Sequence, residues 1–476
     1  MKTQISTLLT ALLLAACAVG PNYKEPVTKP AALPQAQSAE FVAQDPDAVW
    51  WQQFDDAELD ALEKRALVAN LDLRIAVDHV RAARAVFVEN EFDLAPHVPL
   101  QASYQHSKEQ QPGFGSQRVD ATGYSLGFDA TWEVDLFGRT RRSVEAAEDQ
   151  LGAQQAQLRD AEITVAAEVA RNYFELRGTQ RRLEVAHKNL ASQQQTHALT
   201  ELRYQAGRVT ELDVQSSLAR LKATESGIPP LEASEKQAAY RLAVLLGLRP
   251  GELDTELVQA PVVTYAKVLP IGDPAQLLRR RPDVRAAERQ LAAATAQVGV
   301  ATADLFPRVN VTGFVGFLSG DVGSIFRATS GNDARAWSVQ PTVTWAAFDF
   351  GSVKARLRAS KAQADEAGAN YEKAVLRALE DTDNAFVAYA RQQAQLKSLD
   401  EQAQASRRAA ELAEIQYREG VADFLTLLDA QRTQLAAEDA VALAETGVNV
   451  DVVAIYKALG GVGQPDQTAQ RVASAK

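Results

Sequence analysis

One thiol, five imidazoles and 61 carboxylates are the side chains of this 476-residue sequence whose types suit chemistry. The thiol is Cys17, directly behind Leu14-Ala15-Ala16. Small residues there fit a peptidase groove, and a cysteine freed by the cut is a nucleophile for acylation. A single cysteine excludes an intrachain disulfide and a cysteine-based zinc cluster. The histidines are His79, His97, His106, His187 and His197. His187 and His197 are ten apart on one predicted helix, whereas sharing a metal needs a spacing of about three or four. HExxH, GxxxxGK[ST] and GxSxG are all missing, and GGVG at 460–463 lacks the strand–turn–helix setting of a dinucleotide site. Acidic residues are too plentiful for any pair to mark a catalytic dyad. No catalytic residue, metal site or cofactor is therefore expected. The only methionine is Met1, which excludes a methionine-lined metal path, and a net charge of −11 argues against a nucleic-acid partner.

The run MKTQISTLLTALLLAAC reads as an address: Lys2 gives a positive start, and Ile5 to Leu14 form an apolar stretch too short to span a bilayer. Leu14-Ala15-Ala16-Cys17 resembles a bacterial lipobox, with an ordinary signal peptide carrying an incidental cysteine as the alternative. Residues 1–16 are thus expected to be a signal peptide and 17–49 a lipidated tether, extended by Pro21, Pro26, Pro30 and Pro34. Ala18, rather than an aspartate, favours outer-membrane sorting. No later stretch is long and apolar enough for a transmembrane helix, so a membrane crossing would need strands closed into a barrel.

The elements that must position anything functional follow from the prolines and from a repeat. No proline lies between Pro112 and Pro229 or between Pro341 and Pro465, which permits two long helical regions. DLRIAVDHVRAARA at 72–85 aligns with DVRAAERQLAAATA at 283–296 at an offset of 211. Trp132 aligns with Trp345, Gly138 with Gly351, Tyr204 with Tyr417 and Gly207 with Gly420 at an offset of 213. Two halves share one plan. Each starts with a helix, about 56–94 and 274–304, followed by two short strands.

Tyr124, Leu126, Phe128, Ala130 and Trp132 alternate with polar residues, as do Trp337, Val339, Val343 and Trp345. Partner strands are expected at about 97–106 and 308–318. Windows 92–139 and 304–352 hold 15 of the 32 aromatics, which suits a lipid-facing barrel better than a four-stranded soluble sandwich. Tyr124, Phe128, Trp132, Trp337, Val343 and Trp345 are the expected lipid-facing residues. A helix over 139–202 would reach roughly 95 Å. Val144, Leu151, Leu158 and Val165, then Val169, Leu176, Leu183 and Leu190, give it a half-filled heptad seam that needs neighbours. Gly207 and Gly420 are the expected hairpin turns, far from the strands. Four strands cannot close a membrane barrel, whose minimum is about eight, so the barrel reading requires the chain to oligomerise.

These segments together resemble the TolC-like outer membrane factor family, in its NodT-type lipoprotein branch. They are VGPNYKEP after Cys17, WWQQFDDAELDAL at 50–62, TWEVDLFGRTRRSVEAA at 131–147, IPPLEA at 228–233, RRPDVRAAERQLAAA at 280–294, YREGVADFLTLLDAQR at 417–432 and YKALGG at 456–461. The resemblance implies a mixed α and β membrane fold: a homotrimer whose twelve-stranded outer-membrane β-barrel continues into a long periplasmic α-helical barrel. It implies a first repeat over 50–260, with strands about 97–106 and 121–132 and a hairpin over 139–247. A second repeat spans 261–463, with strands about 308–318 and 335–346 and a hairpin over 352–459, before a tail at 464–476. A small equatorial region is made near the N-terminus, from 248–272 and near the C-terminus. The implied function is a passive exit duct of a multidrug efflux system, anchored in the outer membrane and reaching into the periplasm. Its implied partners are a periplasmic adaptor, a proton-driven inner-membrane pump and outer-membrane lipid. A type I protein-secretion channel shares the fold, and a lipid-anchored coiled-coil scaffold without a pore is the rival of another class. A periplasmic hydrolase would need a nucleophile–base motif that the chain lacks.

Carried onto the tips residue by residue, the resemblance places a periplasmic constriction at Leu425 and Asp429. It places an inter-hairpin contact at Asp213, with Tyr417 as partner. Other readings stay open: Thr210-x-x-Asp213 is also a capping-box pattern, and Asp429 is spaced to pair with Arg432 on a solvated face. Position 422 is Ala where some relatives carry a basic latch. The terminus yields a first prediction. Mass spectrometry of the purified protein should find a chain beginning at Cys17 with acyl mass on it, and Cys17→Ala should impair processing. A free, unmodified thiol would rule the anchor out.

Overall fold

The computed structural model describes residues 18–26, 33–45, 49–110, 118–253, 257, 265, 267–273, 276–327 and 334–461. Cys17, the leader and the tail at 464–476 lie outside the described residues. The strands are β1 (Phe41–Val42), β2 (Leu100–Gln110), β3 (Arg118–Val134), β4 (Leu269–Pro270), β5 (Arg308–Ser319) and β6 (Arg335–Thr344). The α-helices are α1 (Ala57–Ala69), α2 (Leu71–Phe92), α3 (Arg139–Gln205), α4 (Glu211–Ser226), α5 (Ile228–Leu245), α6 (Leu277–Arg280), α7 (Pro282–Ala303), α8 (Val322–Arg327), α9 (Phe350–Arg418) and α10 (Phe424–Ala458). They fall into two compact units, one within 1–27, 79–155 and 286–373, the other within 28–78, 156–285 and 374–476. Among the described residues no helix is long and apolar enough to cross a membrane.

The first unit is built on one antiparallel sheet in the order β2-β3-β5-β6. Its register lines up like with like. Leu100 faces Phe128, Phe128 faces Val315, and Val315 faces Trp337. Three residues along, and so on the other face, Thr131 faces Thr312 and Thr312 faces Gln340. Period-two side chains in this register give a continuous apolar face and a continuous polar one. Residues 18–26, expected to be part of an extended tether, are held by hydrogen bonds. Val19 donates its amide to the Phe137 carbonyl at 3.0 Å, and Tyr23 donates its hydroxyl to Glu288 at 3.0 Å. The buried guanidinium of Arg142 donates to the Val19 carbonyl at 3.3 Å and to the Asn22 side chain. A buried guanidinium needs acceptors, and this segment supplies them.

The second unit packs helices around an aromatic core. Trp50 stacks on Tyr456 with ring centroids 5.2 Å apart, and Phe54 meets Phe174 at 4.6 Å. A parallel pair, Phe41 opposite Leu269, joins β1 to β4 beside it. Asp56 caps α1 by accepting from the Glu58 and Leu59 amides, and Tyr173 donates to its other oxygen at 2.6 Å. The first helix, expected to be continuous from about 56 to 94, is two. Asn70 leaves helical geometry, accepts from the amides of Asp72 at 2.8 Å and Leu73 at 3.1 Å, and donates to the Leu245 carbonyl at 2.9 Å.

The helix expected over 274–304 is also two, broken at Arg281 before Pro282, since a residue ahead of proline is driven out of the helical region. Arg281 itself is buried. It donates to the carbonyls of Ala378 at 3.3 Å and Ala458 at 3.2 Å, and pairs with Asp283 at 2.7 Å and Asp381 at 3.1 Å. The return limb of the first hairpin breaks at Gly227, ahead of Pro229 and Pro230, whereas that of the second is one helix of 35 residues. The middle of α3, over 162–180, is buried on most sides, and Gly178 there admits the Thr446 side chain into space that a Cβ would fill.

Glu63, on α1, is fully buried, and neither carboxyl oxygen has a hydrogen-bond partner among the described residues. Burial pushes its carboxyl well above the usual carboxylate range. The folded value is raised above the unfolded one, so the native state binds the proton more tightly. Stability then falls as pH rises from the unfolded value towards the folded one. Glu63→Gln removes that loss. The variant should unfold with the wild type at pH 5 and at a midpoint a few degrees higher at pH 8, followed by circular dichroism on heating. An unchanged difference between the two pH values would show that Glu63 does not titrate there.

Candidate functional site

Two places carry the residues singled out in the sequence, each within one unit. The first is the apolar sheet face. Trp337 is 79% exposed, Val343 64% and Phe128 50%, although each belongs to an ordered, paired strand or its register row. Tyr124 lies beside Tyr104 with centroids 5.0 Å apart. Beyond that pair the same face turns polar, with His106 against Thr122 at 3.0 Å and Lys108 against Asp120 at 2.9 Å. The other end is marked by two tryptophans. The Trp132 indole donates to the Leu94 carbonyl at 3.1 Å, and the Trp345 indole donates to the Leu305 carbonyl at 3.1 Å. Both acceptors follow a helix end, so each ring is fixed at the junction of a helix and a strand. From Tyr124 to Trp132 the strand rises roughly 27 Å, shortened by tilt, against an apolar band of about 25 Å in outer-membrane barrels.

The second place is the pair of hairpin tips. Gly207 and Gly420 have φ of +67° and +74°, a conformation that side chains rarely adopt. Each closes its helix with the same pair of bonds. Arg208 donates to the Arg203 carbonyl and Gly207 to that of Tyr204, both at 2.8 Å; Val421 donates to the Gln416 carbonyl at 2.8 Å and Gly420 to that of Tyr417 at 3.1 Å. The return helices start with the same device in exchanged residues. Thr210 caps α4 and Asp213 answers it by accepting from the Thr210 amide at 2.8 Å, while Asp423 caps α10 and accepts from Thr426 at 2.8 Å. The Thr426 hydroxyl and amide hold the Asp423 carboxyl below its usual range.

Leu425 is exposed, as is its repeat mate Leu212. Asp429 lies one turn on from Leu425 and pairs with Arg432 at 2.8 Å, both side chains being about two-thirds exposed. The tips differ in their tyrosines. Tyr204 is 45% exposed, whereas Tyr417 is 2% exposed, packed with Ala413, Phe424 and Leu427. Within the chain, Asp213 and Tyr417 are not brought together: the Asp213 carboxylate is engaged by Thr210, and the Tyr417 ring is covered by Arg203. Sequence reasoning missed Arg203. Its repeat mate is Gln416, so the internal alignment carried no signal for it.

No group of three or more His, Cys, Asp or Glu among the described residues is arranged to hold a metal. The histidines serve locally. His97 meets Asp93 at 2.8 Å, and His197 meets Ser217 at 2.7 Å.

Comparison with known proteins gives these places a setting. The family described as outer membrane efflux protein matches residues 62–248 and 274–461. Nodulation protein T of Rhizobium leguminosarum bv. trifolii is 31% identical over 436 residues, covering 90% of this chain and 91% of its own. The toluene efflux pump outer membrane protein TtgC of Pseudomonas putida is 32% identical over 489 residues, covering 98% and 97%. The solved structure of the outer-membrane channel OprN superposes with a TM-score of 0.90 at 48% identity, over 94% of this chain and 99% of its own.

The two tryptophans generate a paired prediction. Trp132→Phe and Trp345→Phe keep a large apolar ring and lose one hydrogen bond each, about 0.5–1.5 kcal/mol. Both should lower the unfolding midpoint in detergent, by similar amounts. If neither does, the indole contacts do not hold the junctions.

Proposed function

The chain belongs to the outer membrane efflux protein family and is an outer-membrane exit channel of tripartite efflux, and from that premise we propose how it closes, gates and selects. One observation carries the proposal: the apolar face crosses all four strands without a break, while among the described residues β2 and β6 each have a neighbour on one side only. In hydrocarbon an unpaired strand edge costs several kcal/mol per backbone group. Copies of the chain satisfy β2 with β6 of the next. Three copies give twelve strands, above the minimum of about eight. Tyr124, Phe128, Trp132, Trp337, Val343 and Trp345 then face lipid, and acylated Cys17 adds an anchor in the same membrane.

At the tips, three copies of Leu425 and Asp429 would ring the axis. Leucines there restrict passage by dewetting, and the aspartates disfavour anions. The periplasmic partner is an adaptor protein and the energy source a proton-driven inner-membrane pump; a passive duct with no catalytic residues needs both. The cargo is small, apolar or amphipathic toxic compounds. The relative named for toluene efflux supports this class, since it matches the chain over nearly its whole length.

Single-channel conductance in planar bilayers tests the gate. The Leu425→Ala, Asp429→Ala double variant should raise resting conductance several-fold and lower the preference for cations. If neither changes, the constriction lies elsewhere and these residues are ordinary helix surface.

A further inference from the structure

The last turns of α3 and α9 are joined by the Arg203 side chain. The Arg203 guanidinium carbon lies 4.3 Å from the centroid of the Tyr417 ring. Its Nη2 donates to the Arg418 carbonyl at 2.8 Å. A cation over an aromatic face is held by the ring's quadrupole, and the planar guanidinium suits that stacking. The carbonyl it reaches lies at the C-terminus of a long helix, where partial negative charge collects. Both contacts therefore run from the tip of the first hairpin to the tip of the second.

The ring is set for this contact, and its hydroxyl is not set for any. Tyr417 is 2% exposed, with Phe424 beside it at 5.8 Å between centroids. Its hydroxyl oxygen is buried and has no hydrogen-bond partner among the described residues. The chain itself covers that oxygen, so a neighbouring copy cannot reach it without rearrangement. Asp213, the carboxylate expected to accept from it, is engaged by the Thr210 amide and hydroxyl, each at 2.8 Å. A buried phenol without a partner has lost its water and gained nothing in return, so it opposes the packed state.

We infer that Arg203 is the positioning residue that latches the two hairpin tips of one chain, and that Tyr417 serves the latch with its ring face while its hydroxyl works against closure. The inference rests on the tips being the gated end of the duct. It assigns the basic partner to the first hairpin, where Ala422 on the second brings no charge.

The test uses the full-length channel in detergent and in planar bilayers, with four variants. Arg203→Gln removes the cation, Arg203→Lys keeps charge without the plane, Tyr417→Phe keeps the ring, and Tyr417→Leu removes it. Hydrogen exchange of the Gly420, Val421 and Ala422 amides, which bond back to the end of α9, reads the tip directly. Arg203→Gln and Tyr417→Leu should speed that exchange roughly two- to thirtyfold and raise resting conductance. Arg203→Lys should fall between Arg203→Gln and wild type. Tyr417→Phe should leave exchange unchanged or slow it. If Tyr417→Phe loosens the tip as much as Arg203→Gln does, the hydroxyl carries the latch and the inference is overturned. Unchanged exchange in Arg203→Gln overturns it as well. The Leu425→Ala, Asp429→Ala variant separates the two readings: it acts on conductance and not on these amides. Its failure removes the gate, and the exchange result still decides the latch.

Discussion

A strand at the edge of a sheet must find a partner for its backbone, and in hydrocarbon neither water nor a polar side chain can stand in. Everything else in the strand unit follows from that demand. Among the described residues the four strands pair three times, leaving β2 and β6 open on one side each. Their shared apolar face puts residues such as Trp337 and Val339 outward, where a soluble sheet would cover them. An assembly of copies meets both demands at once, since it closes the edges and turns the apolar face to lipid. The polar rows, Thr131 with Thr312 and Gln340, then line the inside. The long helices share the need for neighbours, because apolar residues such as Leu376 on α9 and Leu443 on α10 are exposed in a single copy.

The duplication that supplies four strands also supplies two hairpins, and the structure shows where the copies stayed alike. The glycine turns and the indole contacts match, bond for bond, because each is fixed by local backbone geometry. The caps match in form and not in residue: Thr210 with Asp213 in one half, Asp423 with Thr426 in the other. The two halves diverge in their return limbs and in their tip tyrosines. Gly227 and two prolines break the first return limb, while α10 stays whole. Tyr204 stays near the surface, whereas Tyr417 is buried under Arg203.

How much of this was legible in the sequence depended on the range of the cause. Alternation at Tyr124, Phe128 and Trp132 is a local pattern, and the strand it marks is there. The capping pattern at Thr210 and Asp213 is local too, and so is the spacing of Asp429 with Arg432. The break at Asn70 is not, because its side-chain amide answers a carbonyl 175 residues away. Residues 18–26 looked like a tether because their composition is that of one; what holds them is Arg142, over 100 residues on. Pro282 lies inside the helical pattern of 274–304, and its effect on Arg281 is a local rule that overrides that pattern. Arg203 left no trace at all. Its role comes from a ring more than 200 residues away, and helix surfaces are full of arginines.

The energetics of the tip argue that it is poised rather than locked. A cation–π contact is worth about 0.5–2 kcal/mol, and one hydrogen bond to a carbonyl adds on the order of 1 kcal/mol. Against them stands a buried, unpartnered phenol hydroxyl, a penalty of about 1–3 kcal/mol. These opposing contributions are of similar size, so the Arg203–Tyr417 contact by itself stores little free energy in any one chain. A partner then needs only a modest difference in affinity to open the end. Moving a two-state element from 1:99 to 99:1 takes about 5.5 kcal/mol, or just under 2 kcal/mol from each copy of a trimer. A difference of that size is within the range of one well-placed contact per copy. A tip with a fully satisfied tyrosine would hold more firmly and would demand a larger opening force for the same passage. With Arg203 as the proposed latch, the unpaired hydroxyl of Tyr417 keeps the contact near balance, so that a modest difference in affinity at the tip is enough to shift it.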